Sequence, residues 1–158
     1  MIEVVTGSIF DAKEKYLCHQ TNCVTNRAAH LSKDVFKKFP WADIYTKREF
    51  HDQPGTIIVR GNGADQRYVI NMLGQYYPGN PKFPESKQDG TAIRETYFHR
   101  CLGQVAKIQN LESVAFPWRI GCGAAGGDWD KYLKLIERFA AYVAEQQGTK
   151  VVIYRLPE

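Results

Sequence analysis

With 158 residues, 44% of them hydrophobic and 24% charged, the chain has the size and balance of one globular domain with one sizeable core. Its net charge of +4 suits a small anionic ligand, but it is too mild and too scattered to mark a nucleic-acid surface; the densest basic run is Lys37-Lys38. The opening residues Met1 to Val5 lack the charged and apolar regions of a secretory leader, no apolar run approaches the roughly 18 residues that span a bilayer, and Cys18, Cys23, Cys101 and Cys122 do not pair as CxxC motifs. The expectation is a cytoplasmic protein with reduced thiols, no membrane association, no metal and no cofactor, with residues 1–158 forming a single domain.

In chain order, Ile2 to Val5 is predicted as a first strand and Tyr16 to Gln20 as a second, closing at Thr21-Asn22. Ala28 to Phe39 places Leu31, Val35, Phe36 and Phe39 on one helical face; Pro40 interrupts it, and Trp41 to Phe50 is predicted to add a turn or two. Thr56 to Val59 and Tyr68 to Leu73, joined by the turn Gly61 to Asp65, form a hairpin. Gln75 to Gly90 is a long loop, of a length that is often functional. Ile93, Tyr97, Cys101, Val105 and Ile108 recur at helical spacing within Ala92 to Ile108. Ser113 to Pro117 is a continuous apolar strand of the kind covered on both faces. A last helix carries the stripe Trp129, Leu133, Ile136, Ala140 and Val143, ends at Gly148, and leads to a strand at Val151 to Tyr154. The whole reads as a mixed α/β domain with helices on both sides of a sheet.

The densest chemistry lies between the strand at 113–117 and the last helix, in Pro117-Trp118-Arg119-Ile120-Gly121-Cys122-Gly123-Ala124-Ala125-Gly126-Gly127-Asp128-Trp129. Four glycines at a strand-to-helix crossing need a reason, since each loses backbone entropy on folding. Bare amides and a helix dipole at such a crossing form a phosphate cradle, beyond the carboxyl end of a strand where α/β sheets bind ligands. The pattern is not a Walker A loop, because no GK[ST] closes it. Asp128 reads either as the N-cap of the following helix or as a site carboxylate. Asn22 reads as a turn residue or a ligand contact, and His30 as a general acid or base or as a structural residue at the first helix. His19 on a strand reads as a satisfied core histidine, and Cys122 as a small buried loop residue. Paired Tyr76-Tyr77 reads as a base-stacking element or as packing, and Arg119 as a phosphate contact or a solvated charge.

These segments together resemble the macrodomain family, over nearly the whole chain. The likeness is carried by Gly7-Ser8-Ile9-Phe10 after the first strand, His19-Gln20-Thr21-Asn22-Cys23, and Val69 to Gln75. Its most specific part is Ile120-Gly121-Cys122-Gly123 followed by Gly126-Gly127-Asp128-Trp129, with Val151 to Leu156 as the closing strand. Within the family the chain is most similar to small single-domain glycohydrolase and ADP-ribose-1''-phosphate phosphatase members. The resemblance implies a three-layer α/β/α fold with a mixed central sheet and a site for ADP-ribose or a close derivative. It implies adenine near Ser8 and Ile9, the distal ribose near Asn22, Ala29 and His30, and the pyrophosphate along Ile120, Gly121, Cys122, Gly123, Ala124, Ala125, Gly126 and Gly127, with Gln75 nearby.

The departures from the family pattern are specific. Ser8 stands where relatives carry an adenine-binding Asp, and Ala28, Ala29 and His30 stand where they carry glycines. Gln75 replaces a lysine nucleophile, and Ala125 an aspartate, of the glycohydrolase relatives, so that mechanism does not carry over. Two activities follow as expectations. One is hydrolysis of an ADP-ribosyl or ADP-ribose-1''-phosphate bond, with His30 or Asp128 as base. The other is non-catalytic reading of ADP-ribosyl marks on protein or nucleic acid. A binder of another nucleotide or phosphosugar is the remaining alternative.

Overall fold

A computed structural model describes residues 2–158; Met1 lies outside it. Its elements are β1 (Ile2–Thr6), β2 (Tyr16–Thr21), α1 (His30–Lys38), β3 (Ile57–Arg60), β4 (Tyr68–Leu73), α2 (Thr91–Val105), β5 (Ser113–Pro117), α3 (Trp129–Gln147) and β6 (Lys150–Arg155). The strands form one sheet in the order β1-β6-β5-β2-β4-β3, parallel throughout except for the antiparallel β3–β4 hairpin. This is the three-layer α/β/α architecture with a mixed sheet.

Side-chain alternation along the strands builds the layers. On β4, Val69 and Leu73 face one side, with Leu17 and Ala115, and pack against Val35, Phe36 and Phe39 of the α1 region. Ile70 and Met72 face the other side, with Cys18, Val114, Phe116 and Ile153, and pack against Phe98, Cys101 and Val105 of α2 and Ile136, Ala140 and Val143 of α3. Each fully buried aliphatic side chain contributes about 1.5–3 kcal/mol, so both apolar faces are needed to hold the sheet. The stripe read on the last helix also includes Tyr132 and Phe139, both buried.

The chain order locates a crevice. After β2 the chain runs through α1 to the β3–β4 side of the sheet; after β5 it runs through α3 to β6 on the other side. Neighbouring strands β2 and β5 therefore send their connections apart, and the gap beyond their carboxyl ends is a topological switch point.

Two local expectations change. The first helix starts at His30 rather than Ala28, because Ala29 is extended (φ −140°, ψ 164°) and His30 has φ 53°. Long-range packing overrides the helical propensity of the two alanines. Only a single 3-10 turn, Pro40–Ala42, follows Pro40. Beyond it Asp43 captures the amides of Tyr45 and Thr46 at 2.8 and 3.1 Å, a local side-chain alternative to helix. The last helix matches its expected ends: Asp128 accepts from the Asp130 amide, and Gly148 closes it in the left-handed conformation at φ 68°.

Candidate functional site

A cleft of about 620 Å³ opens at the switch point. One wall is Pro117 to Ala125, leaving β5; the opposite wall is Ala29 to Ser32 at the start of α1, with Arg27. Gln20 and Asn22 from the end of β2, Tyr45, and Gln75, Pro78 and Gly79 complete it. Arg27 and Arg119 bring positive charge, and no carboxylate lines the cleft among the described residues.

The 117–127 loop is held by its own bonds. Ile120 N donates to Pro117 O, Cys122 N to Arg119 O, Gly126 N to Cys122 O at 2.7 Å, and Gly127 N to Gly121 O at 3.1 Å. The amides of Gly121, Gly123, Ala124 and Ala125 donate to nothing among the described residues. The glycines differ in purpose. A Cβ on Gly121 would press on Tyr132 Cε2 at 2.5 Å and on Gln20 Oε1 at 2.8 Å, so Gly121 is required by packing. Gly126, at φ 81°, abuts Asn80. Gly123 alone of the four has open space where a side chain would go, and it lines the cleft.

The structure brings together Asn22, Ala29, His30, Gln75, Ile120, Gly121, Cys122, Gly123, Ala124 and Ala125. It leaves Ser8, Ile9, Gly126, Gly127 and Asp128 off the cleft wall. Ser8 caps a 3-10 turn by accepting from Phe10 N at 3.1 Å, and Ile9 is core. The Asp128 carboxylate caps α3 at 3.0 Å and is turned to that task. Asn22 is engaged within its own loop: Oδ1 accepts from Val24 N, Thr25 N and Thr25 Oγ1, and Nδ2 donates to the Tyr45 phenol. Gln75 accepts from Gln20 Nε2 at 2.7 Å and donates to Tyr77 O at 2.9 Å. Burial pushes the Cys122 thiol up to about 12, which keeps it protonated and inert. His19 is fully buried, as read, between Ser32 and Asn71. Tyr76 packs against the core and hydrogen-bonds His51 at 2.8 Å, while Tyr77 is half exposed.

Sequence reasoning missed the clamp that joins two walls of the cleft. Arg94 on α2 pairs with Asp89 at 2.6 Å, both almost wholly buried. The guanidinium also donates to the carbonyls of Gly79, Tyr77 and Ala125, tying the 75–90 loop to the glycine loop. Asp89 in turn accepts from the amides of Tyr76 and Tyr77. The available signal was an arginine on the same helical face as Tyr97 and Cys101.

His30 is exposed on the cleft rim with φ 53°, a left-handed conformation that suits glycine. A non-glycine residue there is strained by about 1–2 kcal/mol, and glycine gives back about 0.5–1 kcal/mol in chain entropy. His30→Gly is therefore expected to raise the unfolding free energy by about 0.5–1 kcal/mol. Urea denaturation of the two proteins checks this; a loss of stability would show that the imidazole makes contacts outweighing the strain.

The sequence profile of the Macro domain family matches residues 18–136, and the chain belongs to that family. Among solved structures it is similar to a protein of unknown function from Bacteroides thetaiotaomicron (23% identity, TM-score 0.74, 98% of both chains covered). It is also similar to the macrodomain of Mycobacterium tuberculosis DarG (20% identity, TM-score 0.73, 98% of this chain and 97% of that one). A Trypanosoma brucei macrodomain in complex with ADP-ribose shares 12% identity with a TM-score of 0.68, over 98% of this chain and 63% of that one. No curated protein sequence matches the chain. Among the described residues no helix is long and apolar enough to cross a membrane, and no three His, Cys, Asp or Glu residues converge as a metal site.

Proposed function

We propose that the cleft binds ADP-ribose or a close derivative, with the pyrophosphate on the glycine loop and the distal sugar toward α1. The observation that carries this reading is the set of four free amides, Gly121, Gly123, Ala124 and Ala125, in a cleft that also holds Arg27 and Arg119. Unpaired N–H groups at a strand-to-helix crossing favour an anion. The volume, about 620 Å³, suits a nucleotide-sized ligand. The T. brucei relatives in complex with ADP-ribose and with ADP support the ligand class.

Of the two activities, non-catalytic reading of ADP-ribosyl groups on protein or nucleic acid is the one we favour. Gln75 and Ala125 stand where the glycohydrolase relatives carry Lys and Asp, Asp128 caps a helix, and no carboxylate lines the cleft among the described residues. Hydrolysis with His30 as base is the second reading, supported by the exposure of that ring on the rim. Release of ADP-ribose from a modified protein, abolished by His30→Ala, would decide for the enzyme.

Gly123→Val tests the site itself. The side chain enters open space from a residue that lines the cleft, so affinity for ADP-ribose by calorimetry is expected to fall at least about tenfold, or 1.4 kcal/mol, while the protein stays folded. Gly126→Val, at φ 81° against Asn80, is expected to lower stability as well. A folded Gly123→Val protein with unchanged affinity would remove the loop from the site.

A further inference from the structure

The Tyr76-Tyr77 pair, which the sequence offers as a stacking element or as packing, has a backbone with no freedom left. The amides of Tyr76 and Tyr77 donate to the two oxygens of the buried Asp89 carboxylate at 2.7 and 3.0 Å. Tyr76 O accepts from Cys23 N at 2.9 Å. Tyr77 O accepts from Gln75 Nε2 at 2.9 Å and from Arg94 Nη2 at 3.1 Å. Every main-chain polar group of the two residues is thus engaged, and the Asp89 and Arg94 partners are themselves a buried ion pair.

The two rings differ in what they do. Tyr76 packs on the core, and its phenol lies 2.8 Å from His51 Nδ1. Tyr77 meets Tyr76 in a T-shaped contact, with ring centroids 4.8 Å apart and planes at 85°. It stays 50% exposed all the same, and its hydroxyl bonds to nothing among the described residues. A ring half in water adds little to the core, yet its backbone is anchored to a buried ion pair. Such a ring loses little conformational freedom when a partner covers it. The tyrosines also continue the cleft wall: Gln75, Pro78 and Gly79 flank them on it, and Cys23, bonded to Tyr76 O, follows Asn22 on the same wall.

We infer that Tyr77 is a stacking platform for a planar heteroaromatic ring carried on the ligand's distal sugar, outside the cleft that takes the sugar and the phosphates. That ring belongs to a base of a single-stranded nucleic acid or to a free dinucleotide; both present the same flat π face. The platform rests on the ADP-ribose reading, in which the distal sugar lies toward α1, so that a group joined to it leaves the cleft beside the tyrosines. A polypeptide strand fits the ledge less well, because the N–H groups of residues 76 and 77 are both spent on Asp89. Base–aromatic stacking needs only an exposed ring face and tolerates any base.

Calorimetric titration of the whole chain tests the platform with four ligands: ADP-ribose, NAD with its nicotinamide ring on the distal sugar, a single-stranded oligonucleotide bearing ADP-ribose on a base, and an ADP-ribosylated peptide. Tyr77→Ala is expected to weaken one or both ring-bearing ligands about fivefold or more while changing ADP-ribose less than about twofold. A loss confined to NAD assigns the platform to a free dinucleotide; a loss confined to the oligonucleotide, or larger there, assigns it to nucleic acid. Tyr77→Phe keeps the ring and is expected to bind every ligand as wild type does. Unchanged affinity for both ring-bearing ligands in Tyr77→Ala, equal weakening of ADP-ribose, an equal loss with the peptide, or the same loss in Tyr77→Phe overturns the platform and leaves the ADP-ribose reading standing. So does a wild type that binds ADP-ribose but neither ring-bearing ligand. A wild type that binds none of the four overturns both.

Discussion

Arg94→Ala is expected to destabilise the fold by about 3–5 kcal/mol, because it strands the Asp89 carboxylate without its cation in a buried site. For a chain of 158 residues that corresponds to a fall in melting temperature of roughly 6–20 °C. The loss extends beyond the ion pair. The guanidinium also satisfies carbonyls of Gly79, Tyr77 and Ala125, so truncation frees the long loop and the glycine loop together. Ligand affinity should fall with stability, although Arg94 itself is not on the cleft wall. Removing both charges with Arg94→Met and Asp89→Leu should recover part of the stability, since the penalty is chiefly one uncompensated charge. Thermal and denaturant unfolding of the single and double variants check this. A single-variant loss below about 1 kcal/mol would mean that Asp89 finds water or another donor.

Acidification is the second large effect. Burial lowers the His19 pKa from 6.5 to about 4, against a smaller opposing contribution from Asn71. The unfolded chain takes up a proton at its ordinary value near 6.5, whereas the folded chain resists it until about 4. Stability from this residue is therefore complete above pH 6.5 and is lost as pH falls toward 4. The expected loss is about 2 kcal/mol at pH 5 and about 3 kcal/mol at pH 4, relative to neutral pH. Urea unfolding at pH 7 and pH 5, repeated on His19→Gln, isolates the contribution from carboxylates that also respond to acid. Equal pH dependence in the two proteins would show that the ring is protonated in the fold. The same titration bears on the cleft, since a proton on His19 Nδ1 would make that atom a donor to Ser32.

The strands, the two longer helices and the caps of α3 were legible because each is a local pattern. Alternating apolar residues at 68–73, the continuous run at 113–117, and Asp128 and Gly148 at the ends of α3 report their conformation through neighbours in sequence. The glycine loop was legible for a similar reason: its composition admits few conformations, and its place between strand and helix follows from the elements around it. The sequence thus determined the α/β class, the family resemblance and the location of the glycine-rich crossing.

Only the tertiary structure decided which residues face the cleft, because that depends on contacts between segments far apart in the chain. Asp128 and Ser8 carry site-like side chains, but capping turns them into local fixtures. Asn22 lies in the wall, yet three local bonds occupy its oxygen. Conversely, Ser32 on a helix, Tyr45 in an irregular segment and Asn71 on a strand have no common motif. They meet because β2 and β4 are paired neighbours in the sheet and α1 packs on the face they share, the partners in the two His19 contacts lying 13 and 52 residues apart. Arg94 reads as one charge on an amphipathic helix until the 75–90 loop folds over it and supplies a carboxylate and carbonyls at hydrogen-bond distance. Periodicity reports which face of an element is apolar; left-handed strain at His30 and the pairing of buried charge arise only when separate elements enclose the same atoms.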